Sequence, residues 1–250
     1  MCTVAKRNNI FILTLTGDDE HRLNPTLISD IRSALADIKS QSLSSPATST
    51  ALITTATGKF FSNGFDLRWA QSPSSAVAVA GVGNTFMDRL HHMVESFKPV
   101  VADLISLPMP TIAAVTGHAA AAGFVLALSH DYVLMRGDKG VLYMSEVDIG
   151  MTFPEYFNVL FKEKVASAVA RRDIMLNGRK LKAVEAVGFG IVDDVGKDGE
   201  EVMEKSVKLS QVLVKKGWNG EVYGEIRKGL YPTLCHELGL SRRTLVVPRL

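Results

Sequence analysis

Between Gly117 and Gly150 the chain reads GHAAAAGFVLALSHDYVLMRGDKGVLYMSEVDIG. An apolar strand-like run, TIAAVTG, leads into this stretch and breaks at Gly117. Four alanines and Gly123 come next. An apolar helical segment follows from Phe124 to Leu128, then the polar pair His130 and Asp131, then a second β-like run, YVLM. Small residues at the start of a helix let a ligand approach backbone N–H groups closely. Glu146 lies a short stretch later, in YMSEVDIG, among apolar neighbours, and that setting makes it a candidate base. The rest of the chain reads as a holder for these two features.

The flanking pattern is alternating. NIFILTLTG, from Asn9 to Gly17, is a strand ended by a turn. Pro25 opens an amphipathic helix to Lys39, with Leu27, Ile28, Ile31, Leu35 and Ile38 at helical spacing. STALITTATG is the next strand, so the chain begins strand–helix–strand, the pattern of an α/β fold. In KFFSNGFDLRWA, Gly64 in an apolar setting marks a tight turn or a close ligand approach. A helix is predicted from Thr85 to about Ser106, with a kink or break at Pro99. After Gly150 the chain is mostly helical, including helices over 200–216 and 220–234. Two regions are expected: a core over 1–195 and a helical region over 196–250.

Composition narrows the function. Apolar residues make up 46% of the 250, enough for a sizeable core. A formal net charge of +2, scattered along the chain, carries no nucleic-acid footprint. No apolar run reaches the length of a membrane span, and MCTVAKRNN lacks the apolar region of a signal peptide. Cys2 and Cys235 form no CxxC or metal spacing, which points to a reducing compartment. The six histidines include no HExxH, so no metal is expected; His118 and His130 read as structural. Neither GxGxxG nor GxxxxGK[ST] nor GxSxG occurs, so neither a nucleotide cradle nor a nucleophilic serine elbow is supported. A functional reading therefore has to be built from Gly64, the Ala122–Gly123 pair and Glu146 together.

FFSNGFDL, PTIAAVTGHAAAAGFVLALSHDYVLM, the Glu146 segment and LNGRKLKAVEAVGFGIVDDV occur in that order. Together they resemble the crotonase (enoyl-CoA hydratase/isomerase) superfamily over roughly Ile10 to Val195. The resemblance implies an α/β spiral of ββα units and a helical C-terminal trimerisation region, giving a homotrimer or a dimer of trimers. It implies an acyl-CoA thioester substrate and no cofactor, CoA being part of the substrate. By motif position the two backbone donors of the oxyanion hole fall on Phe65, after Gly64, and on Ala122, before Gly123. Such donors stabilise an enolate oxygen, and losing one typically costs about 3–4 kcal/mol. Asn63 and Leu67 flank the loop that in the family meets the CoA adenine, and Arg68 matches a basic position near the CoA phosphates, which a guanidinium can bind bidentately. Arg227 and Lys228, in EIRKG, resemble a basic C-terminal segment that reaches CoA.

Hydratases carry two acids, one of them at the position of Val125. Here only the second, Glu146, is kept. Hydration uses both carboxylates to handle water, whereas moving a double bond needs one base that takes a proton from C2 and returns it at C4. The pattern therefore resembles the Δ3,Δ2-enoyl-CoA isomerases, the plant peroxisomal group most closely. The Pro248-Arg249-Leu250 ending, near the Ser-Lys-Leu address read by the peroxisomal import receptor, agrees with that group. In peroxisomal isomerases of fungi and animals the acid comes later, near Pro154, which makes Glu155 a rival base. Other readings on this fold are a dienoyl-CoA isomerase, an acyl-CoA thioester hydrolase or a non-catalytic acyl-CoA-binding protein.

Overall fold

The computed structural model describes residues 1–44, 49–72 and 81–243. The chain opens with an antiparallel pair, β1 (Cys2–Arg7) and β2 (Ile10–Leu15). Then α1 (Pro25–Leu43) begins with Pro25 in its first turn, and the Asn24 side chain caps it by accepting the Leu27 N–H. Strands β3 (Ala51–Ala56) and β4 (Phe60–Ser62) lead to α2 (Leu67–Gln71) and α3 (Phe86–Ser106). Strands β5 (Thr111–Val115) and β6 (His118–Ala120) lead to α4 (Ala122–Leu128), and β7 (Tyr132–Arg136) and β8 (Val141–Tyr143) to α5 (Glu155–Lys164). The remainder is α6 (Ala168–Leu176), β9 (Leu181–Lys182), α7 (Ala183–Gly188), β10 (Asp194–Gly196), α8 (Gly199–Val214), α9 (Gly220–Leu230) and α10 (Pro232–Glu237).

β1 and β2 lie in one sheet, but over β3 to β8 the strand–strand–helix unit recurs with its two strands in different sheets. The first strand of each turn enters a six-stranded sheet ordered β1-β2-β3-β5-β7-β10. The second enters a four-stranded sheet ordered β4-β6-β8-β9. From β2 through β10 the large sheet is parallel, and so are β4, β6 and β8. This is the expected spiral of ββα units. Parallel strands covered on both faces read as near-continuous apolar runs, and alternate residues of the large sheet do serve two cores. Phe11, Leu13, Leu52, Ala113, Val115 and Met135 join the main core with α1, α3 and α4. Ile10, Ile12, Ile53, Ile112, Ala114 and Leu134 meet Val202 and Leu213 of α8 on the other face.

Two expectations change. α3 is not broken at Pro99: it continues from Phe86 to Ser106, with Leu90, Met93, Phe97, Val100, Val101 and Leu104 buried on both sides of the proline. The helix expected over 220–234 stops at Leu230, and Pro232, which cannot continue it, starts α10.

Candidate active site

Because β4, β6 and β8 run parallel side by side, the residues that leave each strand emerge at one edge of the small sheet. After β4 come Asn63, Gly64 and Phe65; after β6, Ala121 and Ala122; after β8, Met144, Ser145 and Glu146. The Ala121 N–H donates to the Tyr143 carbonyl (2.9 Å), tying the second group to the third. Ligands of parallel sheets collect at such carboxyl ends. The sequence-predicted Gly64, Phe65, Ala122, Gly123 and Glu146 are therefore brought together by topology.

Close backbone packing explains the two glycines. Gly64 has φ +73°, and a Cβ there would lie 2.9 Å from the Ala121 Cβ and 3.1 Å from the Ala120 carbonyl oxygen. At Gly123 a Cβ would come 2.2 Å from the Ser62 carbonyl oxygen, so α4 seats directly on the end of β4. Ala121 pays for the turn between β6 and α4 with φ +51° and ψ −125°, a region costly for any residue with a Cβ. Among the described residues, neither the Phe65 nor the Ala122 N–H donates a backbone hydrogen bond. Val125, three residues after Ala122 and so on the same helix face, is fully buried.

Glu146 sits in a tight turn: the N–H groups of Ile149 and Met151 both donate to its carbonyl (3.2 and 2.9 Å). Its side chain is buried, and Oε2 has no hydrogen-bond partner. Loss of water raises its pKa from 4.5 to about 7, against a weaker opposing pull from the Glu146 and Ser145 N–H groups. A carboxylate so placed is poised to exchange a proton near neutral pH. The rival Glu155 is exposed at the first turn of α5, where it accepts a hydrogen bond from Asn158 (3.2 Å) and complements the helix dipole.

Asn63 is half-buried and donates its N–H to the Glu20 carbonyl (2.8 Å), while Leu67, half-buried, packs on the main core at the start of α2. Arg68 is exposed, with no ion pair among the described residues. Arg227 corrects an expectation. It is buried, and its guanidinium grips Asp131 twice (2.6 and 2.5 Å) and the carbonyls of Leu107 and Met109, so it is committed to the interior and not to CoA. Ser62 and His21, joined by a bond from the Ser62 hydroxyl to the His21 carbonyl, carry no mark in the sequence; their partnership joins residues 41 apart and leaves no local signal. Among the described residues no three His, Cys, Asp or Glu side chains converge as a metal site, and no helix is long and apolar enough to cross a membrane.

The enoyl-CoA hydratase/isomerase family model matches residues 5–221. The chain is 57% identical to enoyl-CoA delta isomerase 2, peroxisomal, of Arabidopsis thaliana, over all of both chains. It is 54% identical to enoyl-CoA delta isomerase 3 of the same plant, again over all of both. An enoyl-CoA isomerase structure from Mycobacterium tuberculosis superposes with a TM-score of 0.80 at 18% identity, covering 95% of this chain and 94% of that one, a likeness of fold. Matched along most of its length by the family model and along all of it by these relatives, the chain belongs to the enoyl-CoA hydratase/isomerase family.

Proposed function

We propose that this protein is an enoyl-CoA delta isomerase. It moves the double bond of a 3-enoyl-CoA to the trans-2 position and so admits unsaturated fatty acyl chains to β-oxidation in the peroxisome. Full-length similarity to proteins of that name supports the reaction and the compartment. The observation that carries the chemistry is Glu146, a buried carboxyl with one free oxygen and a pKa of about 7.

In this reading Glu146 removes a proton from C2. The electron pair left behind moves toward the thioester carbonyl and gives a dienolate, whose oxygen accepts hydrogen bonds from the Phe65 and Ala122 N–H groups. The protonated Glu146 then returns the proton to C4, the C2–C3 double bond forms and the carbonyl is restored. Nothing is oxidised or reduced and no cofactor enters. Val125 offers no second carboxylate to activate water. Asn63 and Leu67 would line the adenine side of CoA, and Arg68 would meet its phosphates.

The reaction is tested by giving the purified protein 3-hexenoyl-CoA and trans-2-hexenoyl-CoA separately. Conjugation of the first without appreciable hydration of the second is expected; equal rates would overturn the assignment. The helical region from 196 onward would build a homotrimer or a dimer of trimers, which sedimentation checks against the 27.1 kDa chain. Pro248-Arg249-Leu250, outside the described residues, would be the segment read by the import receptor. Deleting it should leave a fluorescent fusion in the cytosol, and a fusion that still entered peroxisomes would place the address elsewhere.

A further inference from the structure

The Phe65 N–H belongs to the peptide whose carbonyl is that of Gly64. The Leu23 N–H holds this carbonyl at 2.8 Å, and the Asp66 N–H returns a bond to the Leu23 carbonyl (3.2 Å). In a trans peptide the C=O and N–H point in opposite directions. Fixing the Gly64 carbonyl on Leu23 therefore turns the Phe65 N–H away from the 18–23 loop. The aim of that donor depends on how firmly the loop is joined to β4.

The N–H groups of Phe60 and Asn63 tie β4 to the carbonyls of Asp19 and Glu20 (2.9 and 2.8 Å), and one buried residue adds a side-chain bond to that join while its backbone abuts the second donor's helix. The Ser62 hydroxyl donates to the His21 carbonyl at 2.8 Å. His21 is itself buried, with φ +44°, and its Nδ1–H donates to the Phe60 carbonyl at 2.9 Å. The Asp18 carboxylate accepts the His21 N–H (2.8 Å) and closes the turn. On its other side the Ser62 backbone lies against Gly123, the residue after Ala122, so closely that a Cβ there would sit 2.2 Å from its carbonyl oxygen. Ser62 is thus wedged between the loop that aims the Phe65 N–H and the helix that carries the Ala122 N–H.

We infer that Ser62 is a positioning residue, whose hydroxyl bond to the His21 carbonyl sets the spacing of the two oxyanion donors. This rests on the reading that the Phe65 and Ala122 N–H groups receive the thioester oxygen. Without the hydroxyl, β4 and the 18–23 loop lose a buried bond, the Gly64 peptide can tilt, and the donors no longer converge on one oxygen. Misplacements of this kind act on the transition state more than on ground-state binding.

The test compares the full-length wild type with Ser62→Ala, Ser62→Cys and His21→Asn. The cysteine keeps a weak donor, and asparagine tolerates the left-handed backbone at position 21 while removing the bond to Phe60. Two quantities are read: kcat and KM for 3-hexenoyl-CoA, and the carbonyl infrared stretch of bound trans-2-hexenoyl-CoA carrying 13C at the thioester carbon. Two polarising donors lower that frequency in the wild type relative to free ligand. Ser62→Ala should lose about 10- to 100-fold in kcat, keep KM within about twofold and lose much of the frequency shift; Ser62→Cys should fall between. Should Ser62→Ala fold poorly, His21→Asn must show the same loss of shift. If the wild type shows the shift and Ser62→Ala or its substitute retains it in full, the positioning role is wrong while the oxyanion reading stands, even if turnover or Tm falls. If the wild type shows no shift, the oxyanion reading fails and takes the Ser62 role with it.

Discussion

At the scale of single residues, the site holds a carboxyl in surroundings that disfavour its charge. Native Glu146 keeps its proton up to about pH 7, whereas the unfolded side chain loses it near 4.5. Between those values the native state binds more protons than the unfolded state, so this group's contribution to stability falls as pH rises, then levels off above about 7. The full difference corresponds to about 3 kcal/mol. Glu146→Gln never acquires the buried charge. Measured by urea unfolding, its stability relative to the wild type should rise by about 2–3 kcal/mol between pH 4 and pH 8. A difference that did not change with pH would mean that the carboxyl is not buried as described. The same ionisation should appear in catalysis, with kcat/KM rising through about pH 7 as the base becomes available.

At the scale of elements, long patterns are legible in the sequence and short ones are not. α1 announces itself through Pro25 and the Leu27–Ile38 periodicity, and β2, β3, β5 and β7 through apolar runs. β4, β6 and β8 span three residues each, too few to show a period of two, and β6 is made of His118 and two of the alanines that read as a helix start. The helix begins only at Ala122, because pairing of Ala119 with Leu142 and Ala120 with Tyr143 claims the earlier alanines for a strand. β1 escapes a sequence reading because five of its six residues are exposed on a sheet edge, which leaves no apolar signal. Site residues are legible where glycine marks a close approach, at Gly64 and Gly123. Ser62, His21 and the strained Ala121 act through distant partners or through backbone geometry, and no local pattern encodes either.

At the scale of the whole molecule, the C-terminal helices are bolted to the core by charge as well as by apolar contact. Burial alone would push the Asp131 carboxyl up, but the Arg227 guanidinium, together with the Lys164 charge and the Thr111 N–H, holds it below the usual range. Asp131 also accepts the Thr111 N–H at the start of β5 (2.9 Å) and the Tyr223 hydroxyl (3.2 Å), so one carboxylate joins the large sheet to α9. Removing one partner of a buried pair strands the other. Arg227→Ala should therefore cost about 3–5 kcal/mol of unfolding free energy and leave KM for the CoA ester near the wild-type value at temperatures where the variant is folded. A raised KM with unchanged stability would instead make Arg227 a CoA contact, as the sequence resemblance implied.

The sheet edge that gathers Phe65, Ala122 and Glu146 gives the account its central claim, that one buried glutamate shuttles the proton. The most direct measurement is the kcat for 3-hexenoyl-CoA of Glu146→Gln beside Glu155→Gln, at saturating substrate and pH 8. Glutamine keeps the shape and removes the base, so Glu146→Gln should lose at least about two orders of magnitude, while Glu155→Gln, altered at an exposed helix start, stays within about twofold of the wild type. Turnover abolished by the Glu155 change and spared by the Glu146 change would contradict the account and move the base to α5.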